Sequence, residues 1–417
     1  MLTRRERQHD VTHARCWSGC FLLAHSIFSF FHLLPLLRRC HSQGRAGESR
    51  VVQANPRGFR SPEEYGLRHD EVWLRADDGV RLHAWLVLQP AEAAATAPTL
   101  IFFHGNAGNL GFRLPNIKAL YYTARCNIFI IDYRGYGNSG GEPSEAGLIA
   151  DGQAALDYLR TRRSPSGGSE GQSAVDPARL HLFGRSLGGA VALHLAALDA
   201  EQHERQSAAA AQSGSASAPL SPPLAGVIVE NTFASLADMV IVLAARLGLI
   251  RAHAAQGPTD GAEPDSAASA AAAASSIQAA VLASSKREPF GRMMWRWLLR
   301  VLMTNTWNNL AAVVRVRTPL LFVSGLADEL VPAAHMAALY AAAHRAPQRR
   351  LHTVEHGTHN DTHVRGGLEY YETIARFFAE AHENATGTAA ARQERGHDIS
   401  VATMPPHDYG ATAPARA

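Results

Sequence analysis

Gly184-Arg185-Ser186-Leu187-Gly188 sets a serine between two glycines, directly after the apolar run 180–183 and before a helical pattern that opens at Leu187. A strand, a sharp turn and a helix in that order lift a serine hydroxyl clear of a sheet, and the glycines let the backbone double back. A hydroxyl at its free pKa is a weak nucleophile, so the chemistry needs a base within hydrogen-bond reach and an acid behind the base. This kind of turn takes them in the chain order serine, acid, histidine. Asp328, in Ser324-Gly325-Leu326-Ala327-Asp328-Glu329-Leu330-Val331-Pro332, follows the apolar run 319–323 and is the expected acid. Glu230, Glu329 and Asp361 compete with it. Asp361 stands two residues from the expected base, too near in sequence to approach it easily from behind.

The base must be chosen from 21 histidines, of which His352, His356, His359 and His363 crowd the last apolar run and its following loop. His359, in Gly357-Thr358-His359-Asn360-Asp361, follows a glycine that permits a sharp loop and precedes the helical segment 369–378, which makes it the expected base. Two backbone N–H groups must then meet the charge that develops on a carbonyl oxygen. Leu187, just after the serine, and Asn106, in His104-Gly105-Asn106-Ala107-Gly108-Asn109, are the expected donors, with His104 holding that loop. The glycine-rich stretch 132–141 lacks the Lys and Ser/Thr of a phosphate loop and reads as structural. Chemistry of this kind calls for no cofactor and no metal.

The elements that would carry these groups are short and almost wholly apolar: Thr99–Phe103, Asn127–Ile131, 180–183, 226–229, 319–323 and 350–354. Such runs suit strands buried on both faces, as in a parallel sheet covered by helices. Helical patterns at 145–160 and 187–198 lie between them, and the alternation predicts an α/β domain. Ahead of it, 71–75 and 80–88 alternate apolar and polar residues around Asp77-Asp78-Gly79, predicting an antiparallel hairpin. The expected domain spans 67–383, interrupted by Ala/Ser/Gly-rich insertions at 164–174, 201–223 and 251–286 that lack a buried pattern. Residues 384–417 read as a disordered tail, although Asn384-Ala385-Thr386 is a glycosylation sequon, as is Asn360-Asp361-Thr362. Arg292, Arg296 and Arg300 share one helical face of an otherwise apolar segment at 290–303, suited to covering an acyl pocket, to lying on a membrane or to ordinary packing.

The N-terminus is a different material. Residues 16–37 carry no formal charge and are rich in Leu and Phe, following a basic segment, 1–15, and preceding a polar linker, 38–66. At about 1.5 Å per helical residue such a stretch just crosses a bilayer core of roughly 30 Å. It reads as a single-pass signal anchor, with a cleaved signal peptide or an interfacial helix as alternatives, and places the protein at a membrane. Arginines flank it on both sides, so charge does not decide which side the domain occupies; the expectation is that the domain follows its anchor out of the cytosol. Cys16, Cys20 and Cys40 lie in or beside this stretch, as acylation sites or plain apolar fillers, and leave Cys126 alone in the body, which excludes a disulfide framework. With 46% hydrophobic residues and a net charge of +3, concentrated in the first fifty residues, the 417-residue chain is neither disordered nor built for nucleic acid.

HGNAGN at 104–109, DYRGYGNSGG at 132–141, GRSLGG at 184–189, VENTF at 229–233, SGLADELVP at 324–332 and GTHNDT at 357–362 together resemble the α/β-hydrolase domain-containing protein 13 type of membrane-anchored serine hydrolase. The resemblance implies an α/β-hydrolase fold, a triad of Ser186, Asp328 and His359, an N-terminal anchor, and kinship with enzymes that remove palmitate from protein cysteines. It points to acyl esters, thioesters or lipids as substrates. Insertion 251–286 departs from the family where a lid or substrate wall is expected. Two other readings stay open: a serine peptidase of the prolyl-oligopeptidase-like kind, and a non-catalytic membrane scaffold.

Overall fold

The computed structural model describes residues 52–161, 175–213, 221–246 and 305–386. The expected anchor at 16–37 with its cysteines, the insertions at 164–174 and 251–286 and the segment 290–303 lie outside the described residues. Among the described residues no helix is long and apolar enough to cross a membrane.

Among the described residues eight strands form one sheet: β1 (His69–Arg75), β2 (Arg81–Val87), β3 (Thr99–Phe103), β4 (Asn127–Ile131), β5 (Leu180–Arg185), β6 (Gly226–Glu230), β7 (Leu320–Gly325) and β8 (Arg349–Val354). Their order is β1-β2-β4-β3-β5-β6-β7-β8. β1 and β2 form the antiparallel hairpin, β2 meets β4 antiparallel, and β4 through β8 run parallel. Every residue of β3, β4, β5, β6 and β7 is buried, which is why those runs are mostly apolar, with Arg185 and Glu230 as buried charged residues at the carboxyl ends of β5 and β6. β1, at an edge, keeps its alternation; β2 loses it, because its second face is also covered and His83 and Trp85 are as buried as Leu82 and Ala84.

Successive strand residues point to opposite faces, and each face has its own core. Ile101, Phe103, Phe129, Ile131, Leu182 and Phe322 pack beneath α1 (Glu145–Thr161), α2 (Leu187–Ser213) and α4 (Ala333–Ala342). Leu100, Phe102, Ile128, Ile130, Phe183 and Val323 pack beneath α5 (Gly367–Thr386), with Tyr370, Ile374, Phe377 and Phe378 facing them. α3 (Leu236–Arg246) follows β6. After β4 the chain returns across β3 to lay down β5, so β3 and β5 part at their carboxyl ends, where open α/β sheets gather their functional groups.

Three expected boundaries are corrected. α2 does not stop near Leu198 but continues to Ser213, through half of the stretch expected to be an unstructured insertion at 201–223. Ala, Glu, Gln and Arg are good helix formers, and ion pairs of Glu201 with Arg315 (2.6 Å) and Glu204 with Arg317 (2.9 Å) tie the extension down. The second correction concerns residues 52–66, expected to be linker. Val52 is fully buried, and Asn55 exchanges two amide hydrogen bonds with Asn109 (2.8 and 3.0 Å), so this segment belongs to the folded body. At the other end, Asn384 lies within α5 and donates to Gln348 Oε1 (2.8 Å), which puts that sequon on a helix.

Candidate active site

Ser186 sits between β5 and α2 with φ at 54°, a left-handed conformation that costs a non-glycine residue. Its surroundings hold it there. The Ser186 N–H donates to Glu230 O (2.9 Å), and its carbonyl accepts from the Thr232 hydroxyl (2.7 Å) and the Gly189 N–H (3.0 Å). A Cβ on Gly188 would stand 2.0 Å from Phe103 O, and one on Gly184 would stand 2.1 Å from Gly188 O. Both positions must therefore be glycine for α2 to start against the end of β3.

Two loops then converge on the serine. After β8, His359 turns Nε2 to within 3.1 Å of Ser186 Oγ and Nδ1 to within 2.8 Å of Asp328 Oδ2. After β7, Asp328 is fixed by the N–H groups of Leu330 (2.8 Å) and Val331 (2.7 Å), both donating to Oδ1. That leaves Oδ2 for His359. Asp328 and His359 are buried and Ser186 half-buried, so the chain of hydrogen bonds runs from the interior to an accessible hydroxyl.

The competing acids have other partners. Glu230 is buried against Arg185 and Tyr370. Asp361 accepts from the Thr358 N–H (2.8 Å) and hydroxyl (2.7 Å), closing the loop that carries His359, and Glu329 is exposed. His356 is exposed, while burial holds His352 and His363 below their ordinary pKa.

The loop after β3 lies directly over the serine: a Cβ on Gly105 would be 3.6 Å from Ser186 Cβ. Asn106 is the next residue, and Leu187 opens α2, whose N-terminus carries the positive end of the helix dipole. Among the described residues, neither of these two N–H groups has a hydrogen-bond acceptor. His104 is fully buried, which pushes its pKa down to about 4 and keeps the ring neutral; its Nδ1 lies 2.7 Å from Gly105 O.

Several residues at the site escaped the sequence reading. Tyr136, in the glycine-rich stretch, donates its hydroxyl to Asn106 Oδ1 (2.6 Å). Asn55 braces Asn109 from a segment with no recognisable motif. Asn231, with φ at 46°, donates to Thr358 O (3.2 Å) and Thr362 Oγ1 (2.8 Å) and accepts from the Gly325 N–H (2.8 Å). An asparagine immediately after a buried strand was the one available signal, since asparagine tolerates the left-handed region. Among the described residues no cluster of His, Cys, Asp or Glu has the arrangement of a metal site.

A serine raised on a strand-to-helix turn, facing the loops after the last two strands of a mostly parallel eight-stranded sheet, is the architecture of the α/β hydrolases. Within them, the chain belongs to the family described as serine aminopeptidase, S33, whose signature matches residues 94–363. It is similar to the α/β-hydrolase domain-containing protein WAV2 of Arabidopsis thaliana, 34% identical over 76% of this chain and 80% of that one. Protein bem46 of Schizosaccharomyces pombe is 31% identical, over 78% of this chain and 83% of that one. The uncharacterized membrane protein YNL320W of Saccharomyces cerevisiae is 26% identical, over 82% of this chain and 90% of that one.

Proposed function

We propose that this protein is a membrane-tethered serine hydrolase of the α/β-hydrolase domain-containing protein 13 type that cleaves carboxylic esters or thioesters through an acyl-enzyme, with palmitoyl groups on protein cysteines as the substrate class. The observation that carries this reading is the position of His359 between Ser186 Oγ (3.1 Å) and Asp328 Oδ2 (2.8 Å). Ser186 Oγ attacks the acyl carbon as His359 Nε2 takes its proton; the imidazolium is stabilised through Nδ1–H by Asp328. The N–H groups of Asn106 and Leu187 receive the oxyanion. Collapse of the tetrahedral intermediate breaks the bond to the leaving alkoxide or thiolate, which takes the proton from His359. Water, deprotonated by the same ring, then attacks the acyl-serine and releases the carboxylic acid.

Three features support an acyl substrate at a membrane. Phe112, Leu326 and Leu330 are exposed on the segments after β3 and β7 that also carry Asn106 and Asp328, and an alkyl chain needs apolar contact of that kind. The uncharged stretch 16–37 is followed by only fourteen residues before Val52. The Val52 N–H donates to Asn138 Oδ1 (3.1 Å) in the loop after β4, so a tether from an anchor joins the body at the edge where the site opens. One relative is also described as a membrane protein. The family description favours a second reading, release of N-terminal amino acids from peptides.

A fluorophosphonate probe on the full chain in detergent tests both. Labelling is expected for the wild type and lost in Ser186→Ala, and competition should be strongest with a long-chain acyl thioester. Labelling that persists in Ser186→Ala overturns the hydrolase reading, and turnover of aminoacyl amides in preference to thioesters replaces it with the peptidase.

A further inference from the structure

Arg185 occupies the one position of G-x-S-x-G before the serine that the motif leaves open, and it is neither exposed nor aimed at a substrate. Its side chain is 8% exposed, and its guanidinium reaches the loop after β8. There Nη2 donates to the His359 carbonyl and to Asn360 Oδ1 (2.6 Å). Nε lies 3.3 Å from Glu230 Oε1, close enough for charge pairing though off the line of a hydrogen bond. Glu230 is fully buried, stands opposite Arg185 in the β5–β6 register, and accepts from the Tyr370 hydroxyl through Oε2. Arg113 after β3 and His363 beyond β8 also face this pair.

An ion pair taken out of water seldom improves on apolar residues of the same volume, so its presence at this point invites a role beyond packing. Resting on the hydrolase reading above, we propose that Arg185 is a positioning residue, the strap that fixes the base to the nucleophile by holding the His359 carbonyl from the residue adjoining Ser186, with Glu230 and Tyr370 holding the guanidinium in turn. Ser186 and His359 lie 173 residues apart in the chain and on opposite sides of two intervening strands, β6 and β7. Through Arg185 they are separated by a single peptide and one charge-assisted hydrogen bond, a stronger and more directional link than a neutral contact. Asn231, the residue after Glu230, ties the same loop at Thr358. The loop is thus held on both sides of the histidine ring, while Asp328 sets the ring's rotation.

The test uses the full chain, with fluorophosphonate end-point labelling to count competent sites and kcat and KM measured per labelled site. Arg185→Gln is expected to lower kcat per site by about a hundredfold, the scale of a 1 Å misplacement of a reacting group, and to leave KM unchanged. Arg185→Lys, which keeps the charge but not the fork, should recover part of that loss. The double variant Arg185→Gln/Glu230→Gln removes the stranded carboxylate, so it should recover melting temperature relative to Arg185→Gln and still show the low kcat. Two results overturn the proposal: wild-type kcat per site in the double variant, or an Arg185→Gln defect confined to fewer labelled sites. Either marks the pair as structural, and both are distinct from failure of the hydrolase reading, which is read in Ser186→Ala alone. If Arg185→Gln does not fold, Arg185→Lys and the double variant decide.

Discussion

Replacing Asp328 by asparagine probes the site with a change of one atom. Asp328 Oδ1 accepts from two backbone donors, Leu330 N–H (2.8 Å) and Val331 N–H (2.7 Å), and Oδ2 accepts from His359 Nδ1 (2.8 Å). An asparagine amide cannot satisfy both sides as the carboxylate does. Turning its NH2 toward Leu330 and Val331 would strand two N–H donors, at about 1–3 kcal/mol each, so the amide oxygen takes that place. The NH2 then points at His359 Nδ1, which must accept; the ring proton moves to Nε2, 3.1 Å from Ser186 Oγ. A ring protonated there donates to the serine and cannot take its proton. The expected loss in kcat is about 10⁴-fold, or about 5.4 kcal/mol of transition-state stabilisation, with KM little changed. Steady-state hydrolysis of a p-nitrophenyl ester, paired with a thermal melt, measures it. The melting temperature should hold, since all three hydrogen bonds survive with one reversed. Asp328→Asn with more than a tenth of wild-type kcat refutes this reasoning, and a larger loss in Asp361→Asn moves the acid.

Asn55→Ala removes the partner of the buried Asn109 amide, at an expected cost of about 1–3 kcal/mol, and loosens the loop that carries Asn106; unchanged melting temperature and unchanged turnover would show that residues 52–66 do not support the site. Stability should also fall in mild acid. Burial lowers His104 to about 4 and His181 to about 3, from an ordinary 6.5. Both rings stay neutral in the folded chain while the unfolded chain binds protons below pH 6.5, so the stability they contribute is complete above that value and drains as pH falls toward 4 and 3. One pH unit below 6.5 the loss is about 1 kcal/mol for each ring, read as a lower urea midpoint at pH 5.5 than at pH 7.5; coincident midpoints would contradict the burial of both.

How much of this was legible in the sequence differs from element to element. β3 and β4 match their apolar runs because a strand covered on both faces takes a polar side chain only where a partner bonds it, as Thr99 and Asn127 bond each other, and that constraint is written residue by residue. The extension of α2 was not legible: the composition of 201–213 reads as low complexity until Arg315 and Arg317, more than a hundred residues later, supply its charge partners. Residues 52–66 carry no periodicity at all; their ties to the body include the Asn55–Asn109 amide pair and the Val52 N–H bond to Asn138.

The chain by itself determined the turn at Ser186, because the strand, the glycines and the following helix are local in sequence, and a Cβ on Gly184 would meet Gly188 O at 2.1 Å within the turn itself. It also singled out Asp328 as the expected acid and His359 as the expected base, with Glu230, Glu329 and Asp361 competing for the acid's place. Which of them meet was decided only by tertiary structure. Strand order sets β7 between β6 and β8, bringing the Asp328 and His359 loops together at the carboxyl edge, and the β5–β6 register turns Glu230 toward Arg185 instead. Local pattern reports which residues a strand or helix must bury; the pairing of charges across strands depends on order and register, which no single segment encodes.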